Sequence, residues 1–222
     1  MSIPRYFVTG TDTGVGKTEV SAALLSLMAD AGLNPAPFKP YESGCKVLSR
    51  PADALRLQAA ARSDDALERI SLHRFKAPVA PGVAAARLRQ SPSFGKTLAG
   101  FHHFDHRALV VEGAGGLLVP LDATHDVIDL IEALALPVVL VARAGLGTLN
   151  HTGLSLRELQ RRNLTVAAVV LSRASATPDA SLADNADRLR QRYPVRVLGP
   201  VPFTRDPGRR RAAFRRALAP LL

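Results

Sequence analysis

The residues best suited to chemistry stand in the stretch Arg5 to Glu19, RYFVTGTDTGVGKTE. Its glycines let successive backbone N–H groups point at phosphate oxygens, and the start of a helix at Gly16-Lys17-Thr18 adds partial positive charge. Lys17 is placed to reach the β- and γ-phosphates of a nucleotide, and the Thr18 hydroxyl to ligate Mg²⁺. Thr13, Gly14, Val15 and Glu19 complete this cradle. Counting back from Gly16, Thr11 stands where the strict G-x-x-x-x-G-K-[ST] pattern has its first glycine, and Gly10 lies one residue further out. The loop is one residue longer than the common form.

A triphosphate with Mg²⁺ needs oxygen ligands beyond Thr18, and the ion takes one or two carboxylates while keeping several waters. Glu112 ends an apolar run and is a candidate; it also reads as a capping or ion-pair residue. Asp53 is a second candidate, and equally a first-turn helix residue favoured by the dipole. Lys39 is one of five lysines, beside Lys17, Lys46, Lys76 and Lys96. At the carboxyl end of a strand it would balance charge on a transferring phosphoryl group, or simply be exposed. Lys39 and Lys17 are the catalytic candidates.

These residues need elements to hold them. Tyr6 to Val8 predict a short buried strand, and Val20, Leu24, Leu27, Met28 and Ala31 recur at helical spacing up to Gly32. A second strand is expected at Ala36 to Lys39, a loop at Pro40 to Gly44, and helices at Ala52 to Ala61 and Asp65 to Ile70. The Pro-flanked stretch Ala77 to Gly82 reads as a loop and Val83 to Arg89 as a helical turn or two. Strands follow at Ala108 to Val111, Val138 to Ala142, Thr165 to Leu171 and Val195 to Leu198. Between them come helices at Val127 to Leu134, Leu149 to Arg162 and Leu182 to Arg192, with a last basic helix at Arg209 to Ala219. Strands that are apolar without alternating, interleaved with helices, predict one α/β domain over residues 1–222 with a mostly parallel, doubly wound sheet. Ligands of such sheets bind outside the carboxyl ends of the strands. The phosphate loop, Lys39 to Gly44, Glu112 to Gly116 and Gly145 to Asn150 all fall there.

The 222 residues suffice for one full core. No apolar run approaches the ~20 residues of a membrane span. The N-terminus enters a strand without a signal-peptide pattern, so a cytoplasmic protein is expected. The single cysteine, Cys45, agrees with a reducing compartment and has no partner to activate it. The net charge of +10 is spread over scattered arginines, with a cluster at Arg205, Arg209, Arg210, Arg211, Arg215 and Arg216. No nucleic-acid module accompanies it, so these read as solvated basic faces, with no nucleic-acid or membrane partner. His102, His103, Asp105 and His106 form a weak metal signal, and His151 reads as structural.

GTDTGVGKT with its longer loop, KPYESG (Lys39 to Gly44), Asp53 in ADAL, VEGAGG (Val111 to Gly116) and LGTLNH (Leu146 to His151) together resemble the dethiobiotin synthetases. The resemblance runs on to LGPVPF (Leu198 to Phe203), almost the whole chain. It implies P-loop NTPase topology and a ligase of biotin biosynthesis that uses ATP and Mg²⁺. CO₂ adds to one amine of 7,8-diaminononanoate, the carbamate oxygen takes the γ-phosphoryl group, and the second amine closes the ureido ring. The resemblance makes Thr18, Asp53 and Glu112 metal ligands, Lys39 the active-site lysine and Ser43 a substrate contact. It places Gly113, Ala114 and Gly115 with the nucleotide, and Ser172, Arg173, Pro202, Phe203 and Thr204 at its base. Gly147, Thr148, Leu149 and Asn150 are implied to take the substrate carboxylate across the interface of a homodimer. Two positions depart from the family: Ser172 stands where an Asn is common, and Gly82 where many members have a His. A partitioning or septum-placement ATPase switch shares the loop but has a lysine early in it; Asp12 occupies that position here.

Overall fold

The computed structural model describes residues 3–173, 175–177 and 179–222. In chain order the elements run β1 (Arg5–Gly10), α1 (Lys17–Asp30), β2 (Ala36–Phe38), β3 (Tyr41–Ser43), α2 (Ala52–Ala61) and α3 (Leu67–Ile70). Then come β4 (His73–Phe75), α4 (Pro81–Arg87), α5 (Phe94–His102), β5 (Leu109–Glu112), α6 (Val127–Leu134) and β6 (Val138–Arg143). The last are α7 (Thr148–Arg161), β7 (Val166–Ser172), α8 (Leu182–Arg192), β8 (Val197–Val201) and α9 (Pro207–Leu218).

Six strands make one sheet in the order β2-β5-β1-β6-β7-β8, and every pairing is parallel. Both faces are covered, which is why the strands read as unbroken apolar runs. Phe7, Leu109, Val111, Leu140 and Leu171 point to one core, under α5, α6, α7 and α8. Their neighbours Val8, Val110, Val139, Val141 and Val170 point to the other, under α1, α2 and α9. The sheet order changes direction at β1, whose two neighbours are β5 and β6, so the loop after β1 opens at the switch point where ligands bind.

Register sets the site. Phe38 pairs with Val111 and Val8 with Glu112, so Lys39 and Glu112 emerge side by side at the carboxyl edge, next to the phosphate loop. The stretch expected as a loop at Pro40 to Gly44 holds β3, which pairs with β4 in a separate two-stranded parallel sheet. β4 and α5 fall where no element is expected, and the helix expected at Asp65 to Ile70 is the single turn α3. The last strand lies further along than Val195 to Leu198.

The C-terminal arginines are not merely solvated. Arg215 donates to Ser26 Oγ at 2.6 Å and to Asp30 at 2.6 Å, and Arg210 pairs with Glu19 at 3.3 Å. With Phe214 and Leu218 buried, these bonds clamp α9 along α1. Arg209, Arg211 and Arg216 stay exposed. Among the described residues no helix is long and apolar enough to cross a membrane, and no group of three His, Cys, Asp or Glu side chains is placed to hold a metal. His102 pairs with Asp105 instead of joining a cluster.

Candidate active site

The phosphate loop is built by glycine where no other residue fits. A β-carbon on Gly10 would lie 2.8 Å from Val15 Cγ2, 3.0 Å from the Asp12 carbonyl and 3.2 Å from Lys17 Nζ. The loop therefore packs back on Gly10 too closely for a side chain there. Gly16, at φ 102°, turns the chain into α1 through the left-handed region that side chains disfavour. Lys17 curls back over the loop, its Nζ donating to the Asp12 carbonyl at 2.8 Å.

That loop forms one wall of a cleft of about 520 Å³. Thr13, Gly14, Gly16, Lys17, Thr18 and Glu19 line it from the loop after β1 and from α1. Lys39, Ser43 and Asp53 enter from β2, β3 and α2, and Glu112, Ala114 and Gly115 from β5 and the loop after it. Gly113 serves through its backbone, accepting from Lys39 Nζ at 2.8 Å. Lys39 Nζ also donates to Glu112 Oε1 at 2.8 Å and stands 3.7 Å from Asp53 Oδ2. The Thr18 hydroxyl donates to the same Glu112 oxygen at 3.0 Å.

Of the readings open for these residues, geometry rules out an exposed strand-end lysine, since Lys39 is 4% exposed. Burial opposes its charge, but Glu112 and then Asp53 outweigh burial and hold the ammonium above the usual lysine range. Glu112 is 1% exposed; burial works against its charge too, and Lys39 holds its carboxyl below the usual range. Lys17 has less help. Burial, and then the charge of Lys39, bring it down to about 8 against the pull of Glu112 and Asp12.

The donor set suits a small hard dication. Among the described residues Glu112 Oε2 is buried without a hydrogen-bond partner. A buried carboxylate oxygen left unpaired is costly unless something binds it. Glu112, whose Oε1 the Thr18 hydroxyl already reaches, joins that hydroxyl and the part-exposed Asp53 carboxylate to offer the hydroxyl and two carboxylates that Mg²⁺ accepts.

A smaller hollow of about 210 Å³ opens on the other side of Gly14 and Gly16. Val15, Ser172, Arg173, Pro202, Phe203 and Thr204 meet there. Ser172 ends β7 with its Oγ 3.2 Å from where a Gly16 β-carbon would stand. Sequence reasoning missed the residue that shapes this hollow: Arg210 donates to the Thr204 carbonyl through Nε at 3.1 Å and Nη2 at 2.7 Å, and Glu19 holds it from α1. Glu19 also pairs with Arg56, so it ties α1 to α2 and α9 together.

Gly147, Thr148, Leu149 and Asn150 do not reach the cleft of their own chain. They begin α7, where Leu149 and Asn150 line a separate groove against α8. His151, expected to be structural, is exposed there. Gly82 cannot be replaced by a larger residue in place: a β-carbon would come 2.9 Å from the Asp122 carbonyl and 3.0 Å from that of Pro120, to which the Gly82 N–H donates at 2.8 Å. The cleft wall near it comes from Pro78, Val79, Ala80 and Pro81. Cys45 is buried, with its thiol pushed up to about 11 by burial and by Glu42, which excludes a thiolate nucleophile at neutral pH.

A parallel sheet with a lysine-bearing glycine loop at its switch point defines a P-loop nucleotide-binding fold. The family model described as an AAA domain matches residues 4–211. The fold is similar to that of cobyrinic acid a,c-diamide synthase from Mycobacterium smegmatis, solved with bound ADP and magnesium, at a TM-score of 0.56 and 15% identity over 97% of this chain and 92% of that one.

Sequence similarity narrows the class. The ATP-dependent dethiobiotin synthetase BioD of Anaeromyxobacter dehalogenans (strain 2CP-C) is 45% identical over 218 residues, 96% of either chain. The enzyme of the same name from Aeromonas hydrophila is 34% identical over 99% of this chain and 100% of its own length. That of Bacillus subtilis (strain 168) is 34% identical over 89% of this chain and 86% of its own. The chain belongs to the family of ATP-dependent dethiobiotin synthetases.

Proposed function

We propose that residues 1–222 act as one unit that joins CO₂ to 7,8-diaminononanoate and closes the ureido ring of dethiobiotin, with ATP converted to ADP and phosphate. The observation that carries this is the meeting of two buried lysines with Glu112, Asp53 and Thr18 at one cleft, in a chain of this family. One amine adds to CO₂ and loses a proton, giving a carbamate. Its oxygen is already anionic and attacks the γ-phosphorus without a strong base, and ADP leaves. The second amine then attacks the carbonyl carbon, the ring closes and phosphate leaves. Such a sequence asks for positioning and charge balance more than for proton transfer.

Lys17 would hold the β- and γ-phosphates and Lys39 the charge shared by carbamate and γ-phosphoryl group. Thr18, Asp53 and Glu112 would hold Mg²⁺, which supplies neutralisation of phosphate charge. Ser43, whose Oγ is buried and has no partner among the described residues, is suited to the diamine. The base would lie in the hollow of Ser172, Arg173 and Pro202 to Thr204. A homodimer supplies what one chain lacks, since Gly147 to Asn150 are turned from their own cleft. Leu146, 83% exposed, and the exposed Leu118, Leu149 and Leu154 offer an apolar face beside them. ATP and CO₂ as co-substrates fit a cytoplasmic site of action.

Phosphate release from ATP should require both bicarbonate and the diamine, with mass spectrometry finding dethiobiotin. Hydrolysis indifferent to the diamine would sink the assignment. Run with each nucleoside triphosphate, the assay also reads the base pocket. A hydroxyl at Ser172 lacks the paired donor and acceptor of an amide, so the preference for ATP should stay below about a hundredfold in kcat/KM.

Leu118→Arg and Leu154→Arg should turn a sedimenting dimer into a monomer and lose turnover in parallel. A wild-type monomer with full turnover would contradict the shared site.

A further inference from the structure

Glu42 has no place in the chemistry above, yet it is a carboxylate held at 4% exposure in the middle of β3. Its flanking residues Tyr41 and Ser43 line the cleft; Glu42 does not. Its carboxylate turns to the start of α2, where Oε1 accepts from the Asp53 N–H at 3.0 Å and Oε2 from the Ala54 N–H at 3.0 Å. These are two of the donors that the first turn of a helix leaves without intrahelical partners. Pro51, the residue before α2, supplies no side-chain cap, so a residue nine positions upstream of it does so across space.

We infer that Glu42 is a positioning residue for the metal site: it fixes the first turn of α2 against β3 and so aims the Asp53 carboxylate at Lys39 and Thr18. The inference rests on the reading of Asp53 as a metal ligand. Three features of the geometry support it. Both carboxylate oxygens are used, one on each N–H, so the helix end can neither slide nor rotate without breaking a charge-assisted bond. The first N–H belongs to Asp53 itself, so the anchor acts on the backbone of the residue whose side chain it aims. Asp53 is part-exposed and, among the described residues, its side chain has the 3.7 Å contact with Lys39 and no hydrogen bond, so its aim depends on its backbone. An Asp53 set only by the helix propensity of ADALRLQAAA would need no such anchor.

Residues that orient a metal ligand typically change metal affinity by about 10- to 100-fold when removed. Mn²⁺ can be titrated into the complex of the protein with a non-hydrolysable ATP analogue and free ion followed by electron paramagnetic resonance, with no turnover involved. Glu42→Ala should weaken Mn²⁺ binding by about tenfold or more, while metal-free binding of the analogue stays within about twofold. Glu42→Gln keeps the volume and one acceptor and should fall between Glu42→Ala and wild type; it decides the matter if Glu42→Ala does not fold. In the Asp53→Asn background, Glu42→Ala should add nothing further. A folded Glu42 variant with wild-type Mn²⁺ affinity, when Asp53→Asn weakens it, makes Glu42 a purely structural cap and overturns the inference. Wild-type affinity in Asp53→Asn itself overturns the metal reading of Asp53, and the inference falls with it.

Discussion

Alanine in place of Lys39 is expected to lower kcat about a thousandfold while nucleotide affinity changes by less than about threefold. The Lys39 ammonium lies at the carboxyl edge, bonded to Glu112 and to the Gly113 carbonyl, with Lys17 and Thr18 on the same cleft. It is placed to meet charge that grows as the phosphoryl group moves, more than charge already present on bound ATP. Single-turnover rates set beside equilibrium binding of ATP separate the two roles. Equal loss in both would make Lys39 a ground-state phosphate ligand.

The same variant should be less stable, because it leaves Glu112 buried and uncompensated, a change that costs about 3–5 kcal/mol when one partner of a buried pair is removed. The pH dependence follows in sign. In the wild type Lys39 holds Glu112 below its ordinary value of 4.5, so the pair contributes fully above that pH and is lost as pH falls through the lower folded value. Without Lys39 the largest opposing influence is gone, burial outweighs the remaining hydrogen bonds, that of Thr18 among them, and the carboxyl moves up. Denaturant midpoints taken from pH 4 to 8 should then fall, for Lys39→Ala, as pH rises above the ordinary carboxylate value.

Lys17→Ala is expected to take turnover down by about a thousandfold or more and, unlike the change at Lys39, to weaken triphosphate binding as well. Its signature is a proton. In the free protein Lys17 titrates at about 8, lowered by burial and by Lys39. Below that pH the ammonium is charged before ATP arrives. Above it, binding must restore the charge, so metal-free ATP affinity should decline as pH rises past about 8 and binding should take up a proton. Calorimetry near that pH in two buffers of different ionisation enthalpy reads the uptake directly. Lys17→Ala should show none of it; an unchanged uptake would assign the proton elsewhere.

What was legible in the sequence was what is local. The strands at Tyr6, Leu109 and Val138 are runs buried on both faces, and the loop with its lysine and threonine is one contiguous stretch. Lys39 and Glu112 at strand ends, and Asp53 more weakly, are candidates by position before the resemblance gives them roles, and parallel register accounts for two of them, since pairing Phe38 with Val111 brings Lys39 to Glu112. β3 was read as a loop because three residues between Pro40 and Gly44 carry no periodicity; its pairing with His73 to Phe75 is what makes it a strand. α5 did leave a signal, with Ser93 capping it and Phe94, Leu98 and Phe101 at helical spacing. The anchor at Glu42 and the Glu19–Arg210–Thr204 chain left none, because each joins residues whose nearness only the fold creates.

The clamp of α9 on α1 has a consequence for how the protein is made. Glu19, the first carboxylate after the phosphate loop, meets Arg210, which lies 191 residues away in sequence. On the ribosome the loop therefore emerges well before the helix that braces it. Until α9 arrives, the side of α1 that takes Phe214 and Leu218 is bare and the Thr204 carbonyl has no guanidinium across it. The hollow that Arg210 and Phe214 help to line is therefore complete only after α9 has been made, long after the glycine loop on its other wall.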